Sequence, residues 1–475
     1  MLFNSFSFLV FFAIFYTLYL IIKKQQYRIF LCLLGSYIFY GWWDWRFLSL
    51  IIFSTVVDFY LGSKIHTTNS QKNKKKYLYF SLMTNLGLLF TFKYFNFFIQ
   101  SFVDLSNTIG LNASVSSLNI ILPVGISFYT FQTLSYTIDI YNNNLKPEKD
   151  FMTFATFVAF FPQLVAGPIV RAIDLLPQFK KKIKITTNLV IDGLFLVAIG
   201  FFKKIVIADS IAPLVDDGFL NNENYSSLNL IIIVILYSFQ IYSDFSGYSD
   251  IAIGIGKMLG YKFPVNFNLP YISKNLSDFW KRWHISLSSW LRDYLYIPLG
   301  GNKSGVSKTY RNLMLTMLIG GLWHGANWTF VIWGALHGSY LIIQKLISRK
   351  NMSLLKLLPV DIYNFIGILI TYFLVCLAWI FFRSQSFSEA LNIIGSIYEF
   401  NDFNFSSLKP KFDLLKVVSL VCILYFSELI FNKNQSLFFK LRHNRVFQYI
   451  FFSSILLFII LFGSFENNNF IYFQF

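Results

Sequence analysis

Charge is scarce in this sequence. Only 13% of its 475 residues are Asp, Glu, Lys or Arg, where soluble domains carry about a quarter. A chain that is 55% hydrophobic and 20% aromatic cannot place so much apolar surface in water, which excludes an ordinary soluble enzyme. The three cysteines, Cys32, Cys376 and Cys422, each lie inside an apolar run at no metal-like spacing. They read as packing thiols, which excludes a disulfide framework and a cysteine-held metal; no metal site is expected. No Walker motif, no G-x-G-x-x-G and no repeat of 20–50 residues occurs, so nucleotide hydrolysis and solenoid architectures drop out. No polar connection is long enough for a separate soluble domain. Residues 1–22 lack a basic start and a small-residue cleavage site, and they read as a retained first helix.

What remains is a succession of apolar runs at 6–22, 29–43, 47–61, 77–99, 119–141, 151–170, 189–207, 228–241, 312–322, 329–343, 362–382, 414–431 and 447–463. Crossing a hydrocarbon core takes about 17–25 residues of helix. Several runs fall short of that, so the expectation is an all-α polytopic membrane protein with 10–12 crossings plus re-entrant and interfacial pieces. The whole of 1–475 reads as one transmembrane domain, with 466–475 as a tail beyond the last helix.

The net charge of +17 does not point to nucleic acid. Basic residues gather in alternate connections, at Lys23/Lys24/Arg28, 64–76, 171–184, 257–311, 345–356 and 433–445, while the connection 208–228 carries Asp216, Asp217 and Glu223. This alternation puts the basic loops in the cytoplasm and both termini outside. It also requires that 119–141 and 151–170 are not both full crossings. The prolines of Phe160-Phe-Pro162-Gln-Leu-Val-Ala-Gly167-Pro168-Ile-Val-Arg171 mark the second as broken or re-entrant, a form tolerated at membrane depth only where protein or a cavity covers it.

Three of the five histidines and six of the ten tryptophans fall within 279–338. An imidazole at membrane depth is a functional candidate. On a helical wheel, 279–296 forms an amphipathic helix with Trp280, Trp283 and Trp290 in its apolar arc, Arg282 on the polar side and His284 at the border. His284 then either packs at the membrane surface or points into a protected cavity. His324 stands in Gly321-Leu-Trp323-His324-Gly-Ala-Asn327-Trp328, where small residues admit close backbones. A histidine there either ties helices together or, with an ordinary pKa near 6.5, abstracts a proton from a hydroxyl. His337, among small residues, reads as packing or support, and His66 and His443 as solvated loop residues. Tyr242-Ser-Asp244-Phe-Ser-Gly-Tyr248-Ser-Asp250 places two carboxylates near membrane depth. They are expected to line a cavity or to pair, with Arg282 or Arg171 as candidate partners. The ending Phe470-Ile-Tyr472-Phe-Gln-Phe475 reads as an interfacial anchor or as a tail that folds back into an outward cavity.

Taken together, Leu122-Pro-Val-Gly-Ile-Ser-Phe-Tyr-Thr-Phe-Gln132, Phe161–Pro168, Tyr242–Gly254, Phe279–His284, Trp290–Gly301, Leu322–Trp333 and the aromatic ending resemble the membrane-bound O-acyltransferase (MBOAT) family. The likeness is to its bacterial branch that acetylates polysaccharides such as alginate and peptidoglycan. The resemblance runs from about residue 30 to the end, with no departure at the two histidine positions. It implies a helical fold with funnels from both faces meeting at a thin partition. It also implies that His324 is the principal catalytic residue and His284 the second active-site position; Asp244, Asp250, Trp323, Asn327 and Arg282 are expected from their own positions to support or line the cavity.

No permanently bound cofactor is implied. The donor is a cytoplasmic acyl thioester such as acetyl-CoA. The partners are membrane lipids, an external SGNH-type acetyltransferase and a cell-envelope polysaccharide, and the location is the bacterial cytoplasmic (inner) membrane. Phe470-x-Tyr472-x-x-Phe475 resembles the acyl-accepting tyrosine motif at the C-terminus of the small partner of the D-alanyl teichoic acid transferase, which implies Tyr472 as a candidate acyl acceptor. Without the resemblance, a flippase for lipid-linked glycans with a His/Asp relay stands as the alternative, although the matched internal repeats such transporters often carry are not visible.

Overall fold

The computed structural model describes residues 1–115, 118, 120–165, 167–303, 305–349, 359–399, 411–465 and 470–471. Among these the secondary structure is helical, with no strand. Among the described residues seven helical stretches are long and apolar enough to cross a membrane: Gln25–Thr67, Gln71–Thr108, Ser227–Met258, Trp328–Arg349, Val360–Arg383, Leu414–Lys433 and Arg445–Phe462. The expected runs 29–43 and 47–61 merge into the first of these through a 3-10 turn at Trp45–Phe47. The all-α polytopic expectation holds, and the protein is a multi-pass membrane protein. Part of the 345–356 loop lies outside the described residues.

The chain divides into two compact units, Met1–Gly193 with Ala252–Pro264, and Leu194–Ile251 with Val265–Phe475. In the first, helices Leu48–Thr67, Gln71–Leu89 and Ile126–Tyr141 meet around a buried polar cluster. Asp58, fully buried, accepts from Ser81 Oγ at 2.6 Å and Asn85 Nδ2 at 2.8 Å. Ser54 and Thr133 donate to Asn85 Oδ1. Hydrocarbon offers these groups nothing, so each side chain satisfies another.

The run 151–170 is broken as expected. Helix Phe151–Ala159 has nine residues, far below a crossing, and is followed by the single turn Phe161–Leu164. The interruption finds partners within the protein: Phe161 N–H donates to Ser36 Oγ at 3.0 Å, and Gln163 Nε2 donates to the Phe157 carbonyl at 2.8 Å.

The second unit holds His284, His324 and His337. The 32-residue helix Ser227–Met258, roughly 48 Å long at 1.5 Å per residue, contributes its 227–251 portion. Helices Val306–His324 and Trp328–Arg349 form a tight hairpin that depends on glycine. A Cβ on Gly321 would stand 2.2 Å from the Phe330 carbonyl oxygen, and one on Gly334 would stand 2.3 Å from that of Met317. Only a hydrogen atom fits between these backbones.

The run 279–296 departs from the single amphipathic helix expected. It is two short helices, Leu276–Arg282 and Ile285–Leu291, and a π turn at Arg292–Tyr296. Between the helices Trp283 is extended, and His284 is left-handed at φ 42°, ψ 54°. A non-glycine residue in that region is strained and persists where its surroundings hold it. The neighbouring strip 266–268 supplies the hold, with Ile285 N–H donating to the Asn266 carbonyl and Asn268 N–H to that of Arg282, both at 2.9 Å. A helical wheel, which assumes 100° per residue throughout, cannot anticipate this turn.

Two glycine substitutions test the hairpin. Gly321→Ala is expected to overpack it and lower stability by about 1–3 kcal/mol, seen as a lower thermal midpoint of the detergent-solubilised protein. Gly395→Ala, where an added Cβ meets nothing within 4 Å in the helix Phe387–Tyr398, is expected to leave the midpoint unchanged or raise it slightly.

Candidate functional site

The break at His284 brings the two sequence-selected histidines together. The His284 and His324 ring centroids stand 6.2 Å apart, with the side chains 0% and 3% exposed. His324 is the last residue of Val306–His324, and the chain leaves it extended through Gly325. Trp323 lies edge-on to both rings, at 5.9 Å from His284 and 5.1 Å from His324. Trp333 and Phe382 close around His324 at 5.1 and 5.2 Å, and Phe245 meets His284 edge-on at 4.6 Å. Both imidazoles therefore sit in an aromatic enclosure that keeps bulk water away.

Asn266 fixes the His284 ring. Its Oδ1 accepts from the Ser286 backbone N–H at 3.2 Å and from Ser286 Oγ at 2.8 Å, and its Nδ2 donates to Ser249 Oγ at 3.1 Å. A backbone N–H can only donate, so the atom it reaches must be the amide oxygen. His284 Nδ1, 3.2 Å from that same oxygen, is consequently the protonated nitrogen, and Nε2 presents the lone pair. This turn lies outside the seven candidate spans, and burial pushes the His284 pKa down to about 3. The ring is neutral at physiological pH.

His337 is fully buried on Trp328–Arg349. It stacks on Phe279 at 6.0 Å and touches Trp333 at 4.8 Å and Trp280 at 5.1 Å. It backs the enclosure through Trp333 and makes no direct ring contact with His324 among those described. The indole N–H groups of Trp280, Trp283 and Trp333 are buried without a hydrogen-bond partner among the described residues. Three unmatched donors in one place suit an acceptor-rich ligand.

The acidic motif pairs, but with cations other than those expected. Lys204 Nζ lies 2.8 Å from Asp209 Oδ1 and 2.9 Å from Asp244 Oδ1. Lys203 Nζ lies 2.9 Å from Asp250 Oδ2 and 2.7 Å from Glu428 Oε1, and Tyr242 OH donates to the same Glu428 carboxylate. Arg282 instead bonds Asp278 at 3.0 Å and the Asn268 carbonyl at 3.3 Å. It braces the turn before His284 and does not neutralise Asp244 or Asp250. Asn327 is committed as well: its Oδ1 accepts from Thr329 N–H at the start of the next helix, and its Nδ2 donates to the Gln385 carbonyl.

Sequence reasoning passed over Lys203, Lys204, Asp209, Glu428 and Asn266. The signal for the lysines was present, since two adjacent cations inside the apolar run 189–207 must find carboxylates at that depth. Nothing local marks Asn266.

Asp244 Oδ2 accepts a hydrogen bond from the backbone N–H of Ile471, near the end of the chain, at 2.7 Å. Phe470, fully buried, packs its ring 4.3 Å from Tyr248 and 5.9 Å from Phe245. The tail thus folds back to the helix that carries the acidic motif, and Phe245 touches both Phe470 and His284. Tyr472 lies outside the described residues.

Comparison with known proteins gives this arrangement a context. Residues 8–388 match the model of the membrane-bound O-acyltransferase family. A probable alginate O-acetylase of Pseudomonas syringae pv. tomato is 42% identical over 424 residues, covering 89% of this chain and 80% of the relative. A peptidoglycan O-acetyltransferase of Helicobacter pylori is 39% identical over 404 residues, covering 80% and 75%. A teichoic acid D-alanyltransferase of Bacillus subtilis is 30% identical over 285 residues, covering 57% and 70%. These likenesses decide between the enzyme and the flippase, and the chain belongs to the membrane-bound O-acyltransferase family as a polytopic O-acyltransferase.

Proposed function

We propose that this protein takes an acyl group, acetyl by analogy with its O-acetylating relatives, from a thioester on the cytoplasmic side of the bacterial cytoplasmic membrane. It delivers that group toward hydroxyls of a cell-envelope polysaccharide outside, through an SGNH-type partner, with both termini on the outer face. The observation that carries this reading is the juxtaposition of two buried histidines, 6.2 Å apart, with the chain's own folded-back end. The unmatched indole donors of Trp280, Trp283 and Trp333 suit the carbonyl-rich arm of an acyl thioester such as acetyl-CoA, which is substrate here and not a resident cofactor.

The chemistry follows from hydroxyl acylation in a dry site. His324 removes the proton from the attacking hydroxyl, which on this reading belongs to Tyr472. The oxygen bonds to the thioester carbonyl carbon, the C–S bond breaks, and the proton passes from His324 to the leaving thiolate, so that the products are a tyrosyl ester and a free thiol. Exclusion of water protects the thioester and the ester from hydrolysis. His284, neutral and oriented by Asn266, donates or accepts from a fixed direction and orients the reacting groups. An acceptor hydroxyl of the external partner then attacks the tyrosyl ester, restoring the phenol.

Three substitutions test the assignment. With a labelled acetyl donor and the purified partner, His324→Ala is expected to reduce transfer by about 10²–10⁴-fold, the range for a lost general base, at unchanged protein level; near-normal transfer removes His324 from the role of base. Asn266→Ala, which frees the His284 ring, is expected to lower turnover by a smaller factor without lowering the protein's abundance. Tyr472→Phe is expected to stop delivery to the acceptor and to eliminate a mass shift of one acetyl group on the C-terminal peptide. Full delivery in that variant returns the tail to the role of an anchor.

A further inference from the structure

The most buried ion pair in the second unit does not touch either histidine, yet it ends on the tail. Lys204, Asp209 and Asp244 expose 1%, 3% and 4% of their side chains, and Lys204 has one carboxylate oxygen on each side of its ammonium. Lys204 takes Oδ1 of Asp244, and the second oxygen, Oδ2, accepts from the Ile471 N–H at 2.7 Å. A charge-assisted hydrogen bond of this kind, out of water, is stronger than a neutral one. The apolar half of the contact is Phe470, fully buried on Tyr248 and Phe245. Tyr248 and Phe245 flank Asp244 on the same helix, so one helical face supplies both the acceptor and the aromatic seat.

We propose that Lys204, Asp209 and Asp244 form a docking site for the C-terminal tail of this same chain, in which Asp244 is the positioning residue that holds residues 470–471 beside the His284 enclosure. The site binds a backbone N–H and one aromatic side chain, a pattern that recognises an extended aromatic peptide end and not a sugar or a lipid headgroup. Lys204 and Asp209 act through Asp244. Asp209 steadies the Lys204 ammonium, which takes Oδ1 of Asp244 and leaves Oδ2 facing the tail. This inference rests on the reading of Tyr472 as the acyl acceptor, because the residue so held is the one immediately before it.

The test separates the dock from the acceptor. The full-length protein in nanodiscs is exposed to a carboxypeptidase, and trimming of its C-terminus is followed by intact mass. Wild type is expected to resist, whereas Asp244→Ala and Ile471→Pro lose their terminal residues at least 10-fold faster. Ile471→Pro removes the donated N–H and trims the buried Ile471 side chain but leaves the buried charges in place, so it reports on the dock even where Asp244→Ala folds poorly. Asp244→Asn, which keeps an acceptor oxygen, is expected to recover part of the protection.

In transfer assays both releasing variants are expected to lose turnover at least 10-fold, with the KM for the thioester donor unchanged. The double variant is expected to be no worse than Ile471→Pro, as two changes to one contact should be. Wild-type resistance in Ile471→Pro overturns the dock, as does additive loss in the double variant. A protected tail that never carries an acyl group on Tyr472 supports the dock and overturns the acceptor reading instead.

Discussion

Hydrocarbon supplies no hydrogen bonds, so each polar group that this protein carries to membrane depth has to be answered by another part of the same chain. The most demanding instance is Lys204, a nearly inaccessible ammonium held between Asp209 and Asp244. Removing one member of such a set strands a buried charge at a cost of about 3–5 kcal/mol. The set therefore locks the π turn Phe202–Ala208 to the helix Ser227–Met258. Lys203 repeats the device one residue earlier, drawing in Asp250 and Glu428. Three separate helical segments are tied at fixed register by two adjacent lysines.

That register carries the site. With Asp244 fixed, Phe245 is turned against His284, and Ser249, one turn further along, receives the amide of Asn266. Asn266 in turn holds the left-handed His284 and sets its tautomer. The tight glycine hairpin brings His324 to the same place from the other side. A buried ionic network, a strained turn and a close backbone approach are each costly in isolation. They coincide at one site, and such costs persist where the surrounding structure over-determines them.

Much of this was legible in residue order. The scarcity of charge and the apolar runs announce a polytopic helical membrane protein, and the prolines at 162 and 168 announce the break that follows Ala159. His324 is singled out by its glycines, and the acidic pair by its depth. The family resemblance, carried by long motifs, pointed to O-acyl transfer, in agreement with the related proteins. The partners of Asp244 and Asp250 are two lysines within an apolar run, less conspicuous in the sequence than the arginines of the basic loops. The helical wheel over 279–296 does not hold because Trp283 and His284 leave the helical region, and a period of 3.6 persists only while the backbone does.

Composition and local pattern settle the class of solvent and the number of costly groups, since transfer free energies belong to residues one at a time. Pairing is different. Which lysine answers which carboxylate depends on contacts between residues far apart in the chain: Asp244 meets Lys204 and Ile471, and Ser249 meets Asn266. No local window contains both members of such a contact. The depth and character of the histidines were thus readable in one dimension. Their mutual distance, the tautomer of His284 and the return of the tail to Asp244 arise only when the helices pack.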